Sequence, residues 1–298
     1  MSKIKEYGAD FLLFLVALAW GSTFFIVQDA VNDVAVYIFL FWRFFFASLI
    51  MMLISYKKIL HVDFQTIKAG SVLGLFMFLG FAFQTFGLTL TLSSTVAFLT
   101  GLNVIIVPFL LYMIFGVKAS VYSIIGAIIA AIGLYFLTYG GSLGFGLGET
   151  YGLVCAFMFA LHIVFTDRYS KRHDVLLLVT IQLSMVALLS FVASLVFNGV
   201  FMPVNFDSTF MEALIITVLF ATVFAFGVQT AMQRFTTPAK TAIIFTMEPV
   251  SAGVFGYFFA NEILSPAQLW GAVLILFGML SAELGTYFRN KRRRKYTC

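Results

Sequence analysis

The feature that most constrains this chain is a succession of long apolar stretches with few or no charged residues. Ten of them approach 20 residues, about the length at which an α-helix crosses the hydrocarbon core of a bilayer. They cover residues 11–28, 36–56, 69–88, 93–115, 121–139, 150–166, 176–197, 211–231, 238–260 and 266–287. Strands of a membrane barrel would alternate polar and apolar residues instead. The sequence therefore predicts an all-α integral membrane protein with ten transmembrane helices.

Composition supports this class, because 62% of the residues are hydrophobic and only 10% are charged. The first apolar stretch follows Lys3 and Lys5 and so resembles a signal peptide. Its apolar run is long, however, for the core of a signal peptide. We expect it to remain as the first helix.

The basic residues are distributed unevenly between the predicted loops. Every Lys and Arg except Arg43 falls at a terminus or in the loops that follow the even-numbered helices. The opposite loops, such as 29–33 and 139–149, carry acids but no basic residue. Under the positive-inside rule, both termini are predicted to be cytoplasmic. The basic run at 289–295 directly follows the last helix, so we interpret it as a topology signal or lipid contact and not as a nucleic-acid site.

The chain also contains an internal repeat. With a shift of 145 residues, FAFQTFGLTLT at 81–91 aligns with FGVQTAMQRFT at 226–236, and the alignment continues without a gap to Gly133 and Gly278. A shift near 139 aligns the first two helices with the sixth and seventh. The predicted unit is five helices, over residues 1–143 and 144–298, and an odd number inverts the second unit in the membrane. Inverted repeats are typical of transporters, with a substrate site where the halves meet.

Six motifs occur in the order found in one family of transporters. They are AWGSTF at 19–24, FWRFFFA at 41–47, GFAFQTFGL at 80–88, STVAFLTGLNVIIVP at 94–108, FTMEPV at 245–250 and NEILSPAQLWGAVLILFG at 261–278. Over its whole length the chain resembles the EamA-type members of the drug/metabolite transporter superfamily. It departs from them at 116–120, where GVKAS lacks the glutamate that often ends the fourth helix, whereas Glu262 is present in the second half.

The resemblance implies a bundle that alternates between inward and outward openings. It also implies transport of small metabolites or drugs, usually outward, across a bacterial-type inner membrane.

Arg43 and Glu248 are the charged groups expected deepest in the membrane. Charges at that depth are costly and usually functional. Counted along their helices, the two lie near enough in depth to pair. A structural ion pair and direct contact with substrate both remain open, and Glu248 is also a candidate proton-coupling group.

Other polar residues fall at matched positions in the two halves. Glu248 aligns with Asn103, Arg43 with Gln182, and Gln84 with Gln229. We therefore predict a shared cavity with eight candidate residues, which are Trp20, Arg43, Gln84, Asn103, His162, Gln182, Gln229 and Glu248. Pro249 is expected to kink its helix beside this site, with Pro108 as its counterpart.

Each candidate also has a purely structural interpretation. Gln84 and Gln229 are equally typical of hydrogen bonds between membrane helices. His162 is interpreted as a core histidine or a proton relay, and Trp20 as packing or as a stacking surface for a planar solute.

The function hypothesis is a secondary exporter of amino-acid-like solutes or drugs, with no cofactor and no metal. An uptake permease and a non-transporting scaffold or sensor are the alternatives. The chain has no nucleotide-binding motif and no HExxH, which disfavours ATP-driven transport and metalloprotease-type enzymatic activity. Oligomeric state does not follow from the sequence.

Overall fold

The computed structural model describes residues 3–117, 120–139, 146–203, 206–233, 235, 241 and 244–295. These residues are helical apart from short turns and loops, and no strand occurs among them. In chain order the helices are α1 (Lys3–Asp33), α2 (Val36–Ile59), α3 (Phe64–Leu88), α4 (Ser93–Gly101), α5 (Asn103–Phe115), α6 (Val121–Tyr139), α7 (Leu147–Ser170), α8 (Val175–Asn198), α9 (Ser208–Ile216), α10 (Ala225–Met232), α11 (Met247–Phe259) and α12 (Pro266–Lys295). A π-helical segment, Thr217–Phe224, joins α9 to α10.

Eight stretches of the described helices are long and apolar enough to cross a membrane, and they match the first eight predicted spans. The chain is therefore a multi-pass membrane protein, as predicted. A shorter apolar stretch, Pro266–Ala282, lies at the position of the tenth span. Residues 238–240 and 242–243, where the ninth predicted span begins, lie outside the described residues, and α11 covers its second half. Ten spans remain a prediction.

Several helices begin and end on the residues that such positions favour. The side chains of Asp63, Asp174 and Asp207 precede α3, α8 and α9, and each accepts a hydrogen bond from a backbone N–H two or three residues later. Carboxylates at these positions satisfy N–H groups that have no partner within the helix. Gly116 and Gly199 end α5 and α8 with φ of 69° and 72°, where a side chain would be strained.

Two predicted spans are interrupted near their middle. The fourth is divided at Leu102, whose N–H donates to the carbonyl of Leu99 in a tighter turn than an α-helix makes. In the ninth, a turn at Thr246 precedes α11. The interruptions therefore precede Pro108 and Pro249, where kinks were expected. Pro249 is in the first turn of α11, where its missing N–H removes no helical hydrogen bond.

Corresponding helices of the two halves pack together. The α2 helix packs on α8, and α6 packs along α12. The largest buried cluster includes Phe39 and Phe44 of α2 and Leu183 of α8, all with no measurable exposure. Many large apolar side chains on the outside of the bundle are exposed, such as Leu53 and Phe197, as expected for helices that face lipid.

Glycines bring α6 and α12 into backbone contact at two levels. A Cβ atom built on Gly133 would lie 2.7 Å from the carbonyl oxygen of Gly271, and one on Gly271 would lie 2.6 Å from that of Gly133. Gly126 and Gly278 meet in the same reciprocal way. The repeat aligns Gly126 with Gly271, and Gly133 with Gly278. Gly126 therefore contacts the residue that aligns with Gly133, and Gly133 contacts the residue that aligns with Gly126. This exchange is the pattern that an antiparallel pair related by a two-fold axis produces.

Candidate functional site

A cavity lies inside the bundle and receives side chains from both halves of the chain. It encloses about 630 Å3 of space between atoms, counting its open mouth. Its apolar walls are mainly aromatic, with Trp20, Phe24, Phe81, Phe159, Phe226 and Phe245.

Seven of the eight predicted site residues line this cavity. They are Trp20, Arg43, Gln84, Asn103, His162, Gln229 and Glu248. The eighth, Gln182, is fully buried behind the wall, where its side-chain oxygen lies 2.9 Å from Nε2 of His162. Gln182 thus reaches the cavity only through the histidine that it contacts.

Arg43 is held on the cavity wall by three neighbours. Its Nε donates a hydrogen bond of 2.9 Å to the hydroxyl oxygen of Thr222. Its guanidinium carbon lies 4.6 Å from the ring centre of Phe81 and 5.3 Å from that of Phe44. These cation–π contacts offset part of the cost of burying the charge. Its two terminal nitrogens form no hydrogen bond with the described residues.

The predicted ion pair between Arg43 and Glu248 is absent. The ion pairs among the described residues are Lys58–Asp174 and Lys171–Asp167, both on the surface of the bundle. The prediction compared depth along the helix axes only, and depth does not fix the distance across a bundle. An arginine and a glutamate therefore line one cavity without bonding to each other.

Glu248 is in the first turn of α11, just after the turn at Thr246. The N-terminal end of a helix carries partial positive charge and unpaired N–H groups, which favour a carboxylate there. Gly21 of α1 permits this placement, because a Cβ atom on it would meet the carbonyl of Glu248 and, at 2.9 Å, the backbone nitrogen of Ala252. The side chain of Glu248 has no hydrogen-bond partner in the described part of the chain.

Asn103 and Gln229 have amide oxygens without partners. Both oxygens are buried and form no hydrogen bond with the described residues. Gln84 donates only a long hydrogen bond, 3.4 Å, to the hydroxyl of Thr100. Since buried polar atoms are nearly always paired, unpaired ones on a cavity wall indicate partners that a solute or water would supply.

Trp20 is fixed by its polar edge and by ring contacts. Its Nε1 donates to the carbonyl oxygen of Ala221 at 3.0 Å. Its ring centre lies 5.3 Å from that of Phe245 and 5.3 Å from that of Phe226. The indole therefore presents a rigid aromatic surface to the cavity.

Several cavity residues were not among the polar candidates. The repeat alignment already matched Phe81 with Phe226, and their rings meet at 5.9 Å between centres in an edge-to-face arrangement. That match was the available signal, but selecting for polar side chains excluded it. Thr222, which contacts Arg43, had no signal in the sequence because threonine is common in apolar helices.

The two ends of the bundle carry further contacts between the halves. At one end, Lys58 Nζ lies 2.7 Å from a carboxylate oxygen of Asp174. Burial would raise the pKa of Asp174, but the hydrogen bonds from Lys58 and from the start of α8 hold that pKa below its usual value. At the other end, Glu262 accepts backbone hydrogen bonds of 2.8 and 3.1 Å from Ser93 and Ser94, at the start of α4.

No group of three or more potential metal ligands occurs among the described residues. Cys155 is buried, and Cys298 lies outside the described residues. Outside the described residues are also the loop residues Lys118, Arg234 and Lys240, and the side chains of the basic run at 289–295.

Comparison with known families identifies the family of the chain. The EamA-like transporter family matches residues 8–139 and matches again over 146–282. The chain belongs to the EamA-like transporter family. The two matches together cover nearly the whole sequence.

Individual relatives are also transporters by name. An uncharacterized transporter of Archaeoglobus fulgidus is 33% identical over 281 residues, which cover 94% of this chain and 87% of that protein. The uncharacterized transporter YoaV of Bacillus subtilis is 24% identical, over 93% of this chain and 96% of YoaV. A crystal structure of a protein with 16% identity superposes with a TM-score of 0.69, covering 93% of this chain and 97% of that one. The last similarity shows a shared fold.

Proposed function

We propose that this protein is a secondary transporter that moves small organic solutes across a bacterial-type inner membrane by alternating access. One observation carries the proposal: Arg43 and Glu248 line the same cavity inside an apolar bundle without pairing with each other. An ionisable side chain buried at that depth without a partner is costly, so a purely structural bundle would gain by pairing or losing the two. A charged solute bound between them would compensate both.

The proposed architecture is ten membrane helices in two inverted halves, 1–143 and 144–298. The double family match and the reciprocal contacts of the α6 and α12 glycines support it. The interruptions at Leu102 and Thr246 support it as well, because each is followed within two residues by a matched polar residue of the cavity. Discontinuous helices at equivalent positions are typical of transporter substrate sites.

Alternating access requires contacts between the halves that open in turn at the two ends. The Lys58–Asp174 ion pair and the Glu262 contacts with α4 lie at opposite ends and suit this role. The distribution of basic residues favours cytoplasmic termini, which assigns the Lys58 end to the cytoplasm. Export is the proposed direction of transport.

The proposed substrates are amino-acid-like zwitterions and related solutes with an apolar or planar part. The terminal nitrogens of Arg43 suit a carboxylate, which guanidinium groups bind with two parallel hydrogen bonds. Glu248 suits an ammonium group, and the aromatic walls suit an apolar side chain. Glu248 is also the proposed site of coupling to protons.

Counterflow in proteoliposomes tests the proposal. Vesicles loaded with unlabelled solute are mixed with labelled amino acids, nucleobases or cationic drugs, and uptake is compared with that of empty vesicles. We expect uptake of at least one zwitterionic amino acid, and its loss in Arg43→Gln. Lys171→Gln removes a charge from an exposed surface pair and serves as the matched control. No exchange of any solute by the well-folded wild type would favour a scaffold or sensor instead.

A further inference from the structure

The π-helical segment Thr217–Phe224 interrupts the helix that faces Arg43 and Trp20. The N–H of Ala225 donates to the carbonyl of Phe220, five residues earlier, and to that of Thr222. In an α-helix it would donate to Ala221 instead, four residues earlier. Single π turns inside α-helices are uncommon and occur frequently at functional sites.

Two cavity side chains bond to consecutive residues of this segment. The indole of Trp20 donates to the carbonyl of Ala221, and so takes the acceptor that Ala225 has left. The guanidinium of Arg43 donates through Nε to the hydroxyl of Thr222. The π turn thus supplies one acceptor to α1 and another to α2, both from the opposite half of the chain.

The segment begins at a threonine that bonds back to the preceding turn. Thr217, its first residue, is fully buried, and its hydroxyl donates to the carbonyl of Ala213 at 2.7 Å. A threonine that bonds back to the preceding turn competes with the backbone donor there and bends the helix. In the first half, the corresponding helix α3 runs without interruption. The device is therefore present in one half only.

We propose that Thr222 is a positioning residue that holds Arg43 in the orientation in which its two terminal nitrogens face the solute carboxylate. The Nε–Thr222 bond occupies the side of the guanidinium, and Phe81 and Phe44 lie against it. The two terminal nitrogens of Arg43 remain for a ligand, and their parallel N–H groups match the two oxygens of a carboxylate. The assignment of the carboxylate rests on the proposed function, whereas the restraint on Arg43 does not.

Chemical labelling of Arg43 tests the restraint without requiring transport. The purified full-length protein is treated with phenylglyoxal, which modifies guanidinium groups, and the modified fraction of each arginine peptide is followed by mass spectrometry. In Thr222→Val, which keeps the shape but removes the hydroxyl, we expect Arg43 to react about tenfold faster, equivalent to about 1.4 kcal/mol. Thr222→Ser restores the acceptor and should react within about twofold of the wild type.

Two controls separate positioning from general loosening. Thr138→Val removes a buried hydroxyl that bonds only within α6, and it should leave Arg43 at the wild-type rate. Arg168 is exposed and should react equally in all variants, so a change there would report on folding. If Thr222→Val fails to fold, Thr222→Ala provides the same comparison without steric conflict.

Each outcome decides the proposal. Faster labelling of Arg43 in Thr222→Val, reversed in Thr222→Ser, supports it even if no solute is transported, in which case the transport proposal alone fails. Equal labelling in wild type and Thr222→Val overturns it, even if counterflow succeeds. An increase in Thr222→Ser as large as that in Thr222→Val also overturns it, because the hydroxyl would then be irrelevant.

Discussion

Replacing Gly278 by alanine should weaken the packing of α6 against α12. A Cβ atom at this position would lie 2.6 Å from the carbonyl oxygen of Gly126 and 2.9 Å from the backbone nitrogen of Ala130. Both are main-chain atoms, which cannot rotate away as a side chain would. The two helices must therefore separate by several tenths of an ångström, and the neighbouring contacts lengthen with them.

The expected loss of stability follows from this overlap. Overpacking at a tightly packed site costs about 1–3 kcal/mol. For a chain of this size, each kcal/mol lowers the unfolding midpoint by roughly 2–4 °C. We expect Gly278→Ala to unfold about 2–12 °C below the wild type. Thermal unfolding of the detergent-solubilised protein, followed by the fraction that elutes as a single species after heating, measures the difference.

Gly227→Ala is the matched control for this experiment. Gly227 is also a glycine within a helix, but a Cβ atom on it would have no neighbour within 4 Å. Because alanine favours helix more than glycine by about 1 kcal/mol, this variant should unfold at or above the wild-type temperature. Equal midpoints for the two variants would refute the close approach of α6 and α12.

Three further predictions follow from the site and the loops. If Glu248 couples protons, Glu248→Gln should abolish gradient-driven transport but spare counterflow, and equal loss of both would count against coupling. Gln182→Leu should destabilise the protein by about 1–3 kcal/mol in thermal unfolding, because the buried nitrogen of His162 loses its partner, and an unchanged midpoint would contradict that role. Hydrogen bonds from the side chain and backbone of Thr66 lower the pKa of Asp63 from 3.8, so the stability that Asp63 gives to α3 is complete above that pH and falls as pH drops through the lowered pKa. Asp63→Ala should therefore lower the thermal unfolding midpoint at pH 7 more than at pH 3. The same loss at both pH values would show that the ionised carboxylate of Asp63 is not the source of this stability.

Hydrophobicity and repetition predicted most of the fold. Long apolar runs identified the first eight spans because the hydrocarbon core imposes one length on every crossing helix. The repeat predicted which polar side chains share a cavity, because residues at matched positions of two related halves converge where those halves meet. Gln84 with Gln229, and Asn103 with Glu248, are brought together in this way.

The remaining features depend on lateral distances and on local backbone geometry. Helix depth allowed Arg43 to reach Glu248, but the bundle directs Arg43 toward Thr222 instead. The π-helical segment that presents Thr222 has the mainly apolar sequence TVLFATVF, in which hydrophobic periodicity does not distinguish a π-helix from an α-helix. Gln182, the counterpart of Arg43 in the second half, was expected on the cavity wall. Its side chain instead contacts His162 from behind that wall. Matched positions therefore indicated which side chains lie near the cavity, but they did not predict which side chains bond to each other.

Counterflow by Arg43→Lys in proteoliposomes tests the central claim most directly. Lysine keeps the positive charge but has a single ammonium, so it cannot offer two parallel donors to a carboxylate. We predict a folded protein in which exchange of a zwitterionic amino acid transported by the wild type is lost, whereas a solute without a carboxylate keeps whatever exchange the wild type gives it. Wild-type exchange of the amino acid by Arg43→Lys would contradict the account, because Arg43 would then act only as a charge that holds the bundle together.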